Sequence, residues 1–427
     1  MFLLLPFLTS SSAVAGSQTS ALQDFIQDSG RTIPKPLGAI ASNLSSTSSS
    51  STSSTAFTTA QILQQSWAAY KQRFIQADGR VVDWEAKARS TSEGQAYAML
   101  RAVLSNDPET FALTLQWAEQ NLKRPPAEQN RTDSLWSWHW GQNDQDGWEI
   151  LDQNFASDAD VDAATALILA GRRWNRSDYL QLAQTKLKDL WSSSTITLPR
   201  SPHTSETVRY LLPGPLKSFQ PQPDRIYLNP SYFAPYAFRL FAQVDSERDW
   251  LSLVDSSYQA LEESSRVSLV GLPSDWVALN TKTGKFEPLP LNIHLRSIYS
   301  FDAYRVWWRI SLDANWFKET RAKTFLQEHL QPLQAMWRSN QSIPARITLL
   351  GTPNASYEAT SQYAMLYPAF EIVDPAIAAE IRQQKLLPTY QAGIWDNDSA
   401  YYVQNLAWFG LFPSDEVADL WLQPPGG

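Results

Sequence analysis

Cysteine is absent from all 427 residues, which excludes disulfides and thiolate metal sites and leaves the compartment unreadable from redox chemistry. Histidine occurs only four times, scattered and with no HExxH pair, so neither a zinc centre nor any other cofactor is expected. Positive charge is short as well. The 35 Lys and Arg stand against 43 Asp and Glu, a net charge of -8, whereas nucleic acid and anionic membrane surfaces both want a basic face. No later run reaches the ~18 apolar positions of a membrane span. A neutral or basic partner fits this balance, and nucleic acid does not.

Flat aromatic surface, by contrast, is plentiful. There are 18 Trp and 16 Tyr in a chain that is 43% hydrophobic. Stacking on sugar rings is one use for such surface and core packing is the other. At the amino end, Phe2 to Leu8 is apolar and Ala13-Val14-Ala15 resembles a signal-peptidase site, although the positively charged n-region is missing. The expectation is a signal peptide over 1–15 and a secreted or periplasmic protein. Residues 16–59 are polar, and Ser45 to Thr55 are only Ser and Thr, so this stretch is expected to be a disordered leader. The folded part should be one domain over 60–427.

Within that domain apolar residues recur at helical spacing, in pairs. Asp107 and Pro108 open a helix striped by Phe111, Leu115, Ala118 and Leu122, just after one starting at Glu93. Further pairs fall at 158–174 with 177–190, 230–242 with 250–261, 302–310 with 316–337, 358–370 with 375–386, and 400–411 with 415–422. Few segments alternate like strands. An all-α domain of about a dozen paired helices accounts for the length.

Three acids sit at helix starts: Glu93 after Ser92, Asp158 within Ala156-Ser157-Asp158-Ala159-Asp160, and Asp302 after Ser300-Phe301. Ser92 with Gln95 reads as a capping box, and Asp and Ser are good caps in any case. Gly94, costing about 1 kcal/mol against Ala within a helix, suggests a close approach to the backbone there. If alternate helices run parallel in a ring, all three acids lie at one end. Paired carboxylates among aromatics are what glycoside hydrolysis uses, one to protonate the leaving oxygen and one to activate water. The positive end of a helix favours an ionised carboxylate. That suits Asp302 as a base, whereas Glu93 as an acid would need burial or a neighbour such as Asp158 or Asp160.

Taken together, Ser92-Glu93-Gly94-Gln95-Ala96-Tyr97, Ala156-Ser157-Asp158-Ala159-Asp160, Asn229-Pro230-Ser231-Tyr232 and Ser300-Phe301-Asp302-Ala303-Tyr304-Arg305 resemble glycoside hydrolase family 8. Trp138-His139-Trp140-Gly141-Gln142, Asp275-Trp276 and Tyr401-Tyr402-Val403 are similar to the endoglucanases that accompany bacterial cellulose synthases. The resemblance implies an (α/α)6 barrel and an inverting endo-β-1,4-glucanase acting on cellulose or related β-glucan. It implies Glu93 as general acid, Asp302 as general base and Asp158 as the carboxylate that holds the sugar. Arg305 would orient the base, and Trp138, Trp140, Tyr232 and Asp160 would bind substrate. A monomer working beside a cellulose synthase system is the expected setting. Phe301 where Tyr is common, Val403 where Asp is frequent, and Val161-Asp162-Ala163-Ala164 with its extra acid depart from the pattern. The alternatives are a family-related hydrolase of chitosan, xylan or mixed-linkage glucan, and an inactive glucan-binding protein.

Overall fold

The computed structural model describes residues 57–126, 132–200 and 205–423. The expected signal peptide and nearly all of the leader lie outside these. In chain order come α1 (Thr59–Phe74), α2 (Ser92–Leu104), α3 (Pro108–Asn121), α4 (Ser157–Arg173), α5 (Ser177–Ser194), α6 (Pro235–Val244) and α7 (Trp250–Ser265). Then follow α8 (Tyr304–Trp316), α9 (Thr320–His329), α10 (Gln331–Asn340), α11 (Thr360–Val373), α12 (Pro375–Ile381) and α13 (Tyr401–Leu411).

Burial sorts these helices into two layers. Every residue of α4 from Ser157 to Arg172 is buried, whereas α5 buries only the stripe Tyr179, Ala183, Lys186, Leu187, Leu190 and Ser194. A helix buried all round is an inner one, and a striped helix packs its stripe inward from outside. Helices α2, α4, α6, α8, α11 and α13 each pack on the next, and α13 returns to α2, closing a ring of six. Around it lie α3, α5, α7, α9, α12 and α1, each against its own inner helix. The fold is all-α, an (α/α)6 barrel.

The sixth pair differs from expectation. Residues 415–422 give only a 3-10 turn, Ser414–Glu416, and one helical turn, Asp419–Leu422, which packs on α4. So short a segment cannot carry an inward stripe. The outer place on α13 is taken by α1, whose Ile62, Leu63, Ser66, Trp67, Tyr70 and Phe74 are buried. The expected helix at 316–337 is also interrupted. Lys318 is left-handed at φ 55°, and α10 restarts at Gln331-Pro332, where proline lacks the amide that a continuous helix would need.

Short antiparallel strands fill the loops that enter the inner helices. β1 (Ser90–Thr91), β2 (His139–Gln142) and β3 (Trp148–Asp152) form one sheet, and β4 (Thr195–Pro199) pairs with β5 (Thr207–Leu211). β6 (Arg225–Leu228), β7 (Val277–Asn280) and β8 (Lys285–Glu287) form another. β1 runs straight into Glu93, β6 ends beside Asn229, and β7 follows Asp275 and Trp276. Among the described residues no helix is long and apolar enough to cross a membrane.

The first helix begins slightly earlier than the expected boundary at residue 60. Thr58 caps it, its hydroxyl accepting from the Gln61 amide at 3.2 Å while the Gln61 side chain accepts from the Thr58 amide at 2.9 Å. Removing residues 1–56 should therefore leave thermal melting cooperative and its midpoint unchanged. Removing 1–59 deletes the cap and should cost on the order of 1 kcal/mol. Loss of cooperative melting after the shorter deletion would place part of the fold before residue 57.

Candidate active site

Glu93 is placed by a cap one residue earlier than the sequence suggests. Thr91, extended at φ -121° and ψ 152°, accepts from the Gly94 amide at 3.0 Å, and Ser92 is already helical. Gln95 makes no capping box. Its side chain instead binds the Val81 amide and the Gly79 and Thr114 carbonyls, pinning the preceding loop to α3. A Cβ on Gly94 would stand 3.4 to 3.5 Å from Thr91, Val81 and the Tyr401 ring, which is ordinary contact. The close neighbours of that glycine are thus the protein's own side chains.

Asp158 is the second residue of α4 and is buried, its Oδ1 accepting from the Ala159 amide at 2.9 Å. Asp302 lies in the turn before α8 rather than in the helix itself. Asp275 grips that turn, accepting from the amides of Ser300 at 3.1 Å and Ala303 at 2.8 Å and from the Ser300 hydroxyl. The next residue, Trp276, donates its indole N–H to Asp302 Oδ2 at 3.0 Å. Asn229, the cap of the Pro230–Tyr232 turn, spends its carbonyl oxygen on the Ser231 amide and hydroxyl. Its buried nitrogen meets no acceptor at hydrogen-bond geometry, yet the amide lies near enough to Asp302 to lower that carboxyl's pKa.

Arg305 joins the three acids. Nη1 donates to Glu93 Oε2 and to Asp158 Oδ2, both at 2.9 Å, and Nη2 donates to Asp302 Oδ1 at 2.9 Å. The same Nη1 reaches the Tyr97 hydroxyl at 3.3 Å, and the guanidinium lies 5.4 Å from the Tyr232 ring centroid. Tyr401 donates its hydroxyl to Glu93 Oε1 at 2.7 Å. Both oxygens of Glu93 and of Asp302 are therefore held, and one side chain of α8 ties α2, α4 and the Asp302 turn together.

Three carboxylates around one guanidinium leave an excess of negative charge in a buried place. Burial raises Asp158 to about 7, with Glu93 and Asp162 adding to it and Arg305 and Arg309 opposing. Burial also raises Asp302, helped by Glu93 and opposed by Arg305, Asn229 and Trp276. Desolvation outweighs the helix-end field expected to favour an ionised Asp302. Asp275 rises to about 7 from burial and from the charge of Asp302.

The cavity over this cluster is lined by Glu93, Asp158, Asp302 and Arg305 with Trp138 and Tyr232, all six anticipated from sequence. It is also walled by Thr91, Trp276, Phe301, Tyr401 and Tyr402. Trp276, Tyr401 and Tyr402 belong to family-like motifs that give them no individual role. Two anticipated residues stand elsewhere. Trp140 stacks on Trp148 at 5.0 Å and 19°, with Arg80 4.4 Å from its ring, outside the cavity lining. Asp160 is fully buried and raised to about 7 by burial, accepting from the Trp136 amide at 3.2 Å. His329 with Glu262 and Glu328, at the junction of α7 and α9, is the one grouping of possible metal ligands among the described residues. It lies outside the cavity lining.

The family model for glycosyl hydrolases family 8 matches residues 33–413, most of the chain. The chain belongs to glycosyl hydrolase family 8. Its match begins at 33, inside the stretch read as a leader. An endoglucanase of Xanthomonas axonopodis pv. citri is 35% identical over 250 residues, 58% of this chain and 60% of that protein. The match thus spans less than two thirds of the relative. Among solved family-like structures, an endo-1,4-D-glucanase from Vibrio fischeri superposes with a TM-score of 0.67 at 26% identity, covering 81% of this chain and 93% of that one. The endoglucanase Cel10 from Klebsiella pneumoniae, a family 8 glycosyl hydrolase, gives 0.63 at 27%, covering 81% and 98%.

Proposed function

We propose that this chain is an inverting endo-β-1,4-glucanase. Glu93 gives its proton to the leaving glycosidic oxygen as the bond to the anomeric carbon breaks. Asp302 takes a proton from the water that attacks the opposite face, and Asp158 holds the sugar between them. The observation that carries this reading is the meeting of Glu93, Asp158 and Asp302 on Arg305, in a cavity walled by Trp138, Tyr232 and Trp276. The endoglucanase names of the relatives support β-1,4-glucan as the substrate class. In this reading the enzyme is exported, acts as a monomer and works beside a cellulose-synthesising system.

Purified protein on carboxymethylcellulose tests it. Viscosity should fall well ahead of the appearance of reducing ends, and a strict proportion between the two would remove the endo assignment. Proton NMR of early product should show the α-anomer first, followed by slow mutarotation. Initial release of the β-anomer would overturn the mechanism.

A further inference from the structure

One turn below the site, the barrel axis holds a second ion pair that the proposed reaction does not use. Asp158 and Asp162 are successive turns of α4, and Arg305 and Arg309 are successive turns of α8. Arg309 donates from Nη1 and Nη2 to the two oxygens of Asp162 at 2.8 and 2.9 Å. Tyr236 of α6 completes the rung, donating to Asp162 at 3.3 Å and accepting from Arg309 at 3.0 Å. Asp162 is 1% exposed and Arg309 0%. Neither lines the cavity.

Helices α4 and α8 are not neighbours in the ring, because α6 stands between them. The bond from Arg305 to Asp158 ties α8 to α4 at one level only. A second rung a helical pitch away, about 5.4 Å, adds a constraint on both the rotation and the sliding of α8 against α4. We propose that the Asp162–Arg309 pair is a positioning device for the reaction, setting the rotation and register of α8 against α4 so that Arg305 can bridge Glu93, Asp158 and Asp302. This rests on the hydrolase reading above. Stability alone does not account for such a pair, since a buried ion pair can commonly be exchanged for apolar residues at no net cost.

The test separates positioning from stability. Asp162→Leu/Tyr236→Phe/Arg309→Leu removes both charges and the hydroxyl together, stranding no buried polar group, and should melt near the parent temperature or above it. Its kcat on soluble β-1,4-glucan should still fall roughly ten- to a hundredfold with KM little changed, because drift in Arg305 misaligns three carboxylates at once. Carbon-13 titration of the Asp158 carboxyl gives a second readout that needs no turnover. The groups facing Asp158 are Arg305 and Arg309 of α8, Glu93 of α2, Asp162 of its own helix and the Tyr232 hydroxyl. Arg309 lowers the Asp158 carboxyl and Asp162 raises it. Asp162→Asn, which keeps Arg309, should titrate lower. A triple variant that melts like the parent with kcat unchanged overturns the proposal. A parent that hydrolyses no β-1,4-glucan would overturn only the function, and the crystal structure of the triple variant would then decide the positioning: Arg305 should have left at least one of its three carboxylates, and unchanged Arg305 contacts would overturn it.

Discussion

Glu93→Gln and Asp302→Asn should each reduce hydrolysis of unactivated glucan by roughly 10²- to 10⁴-fold, the size of a lost proton-transfer partner. The two differ in what they do to the site. In Glu93→Gln the new carboxamide can still accept from Arg305 through its carbonyl oxygen, and the Tyr401 hydroxyl can reverse to accept from its nitrogen, so the side chain should stay in place. Asp302→Asn allows no such adjustment. The neighbours at that position, Arg305 Nη2 and Trp276 Nε1, are both obligate donors, and an amide satisfies only one of them. With an aryl cellobioside whose phenolate leaves unaided, protonation is hardly needed. The Glu93 variant should then regain much of its rate, while the Asp302 variant, still lacking a base, should not. Steady-state kinetics on both substrates would check this, and equal recovery would mean that the acid and base roles are wrongly assigned.

The residues whose change is expected to matter most were legible for a physical reason. A carboxylate beside a helix start leaves a local signature, and the alternation of helices places every second start at the same end of the barrel. Glu93, Asp158 and Asp302 could be brought together on those grounds before any coordinates. What could not be read was closure. Nothing in residues 415–422 says that a helix at the opposite end of the chain, α1, will occupy the sixth outer place. Adjacent hydroxyls were equally uninformative. Thr91 and Ser92 both make good caps, and it is the extended backbone of β1 that selects Thr91. Direction was the third gap. Trp138 and Trp140 should share a face at strand spacing, but the register shifts between His139 and Trp140, and Trp140 packs against Trp117 and Trp148 instead. Asp160 follows Asp158 by two residues on a helix and so points elsewhere, to the Trp136 amide. Trp276 stands in a quoted motif without a role because its hydrogen bond to Asp302 spans 26 positions that no local pattern connects.

Arg305→Met should disable the enzyme about as completely as loss of the acid or the base, and its effect on stability should depend on pH. The guanidinium is the shared donor for Glu93, Asp158 and Asp302, and removing one such preorganised donor typically costs roughly 10²- to 10³-fold in rate. Here three groups lose it together, so a fall of at least about 10³-fold is expected. Asp158 and Asp302 are raised in the folded protein by burial, and Arg305 lowers both, so its loss moves them further up. A carboxyl whose folded pKa exceeds its unfolded value favours folding only while it is protonated, and the folded state loses ground as pH rises between the two values. Below about pH 4 the raised carboxyls of Asp158 and Asp302 are protonated and need little compensation, so parent and variant should melt at similar temperatures. The gap should widen as pH passes through and beyond the parent Asp158 value of about 7, reaching roughly the 3–5 kcal/mol of a broken buried ion pair. Denaturant melts of both proteins between about pH 4 and 8.5 would measure it. A deficit that stays constant over that range would show that Arg305 stabilises the barrel by packing alone, and that the carboxylates do not depend on its charge.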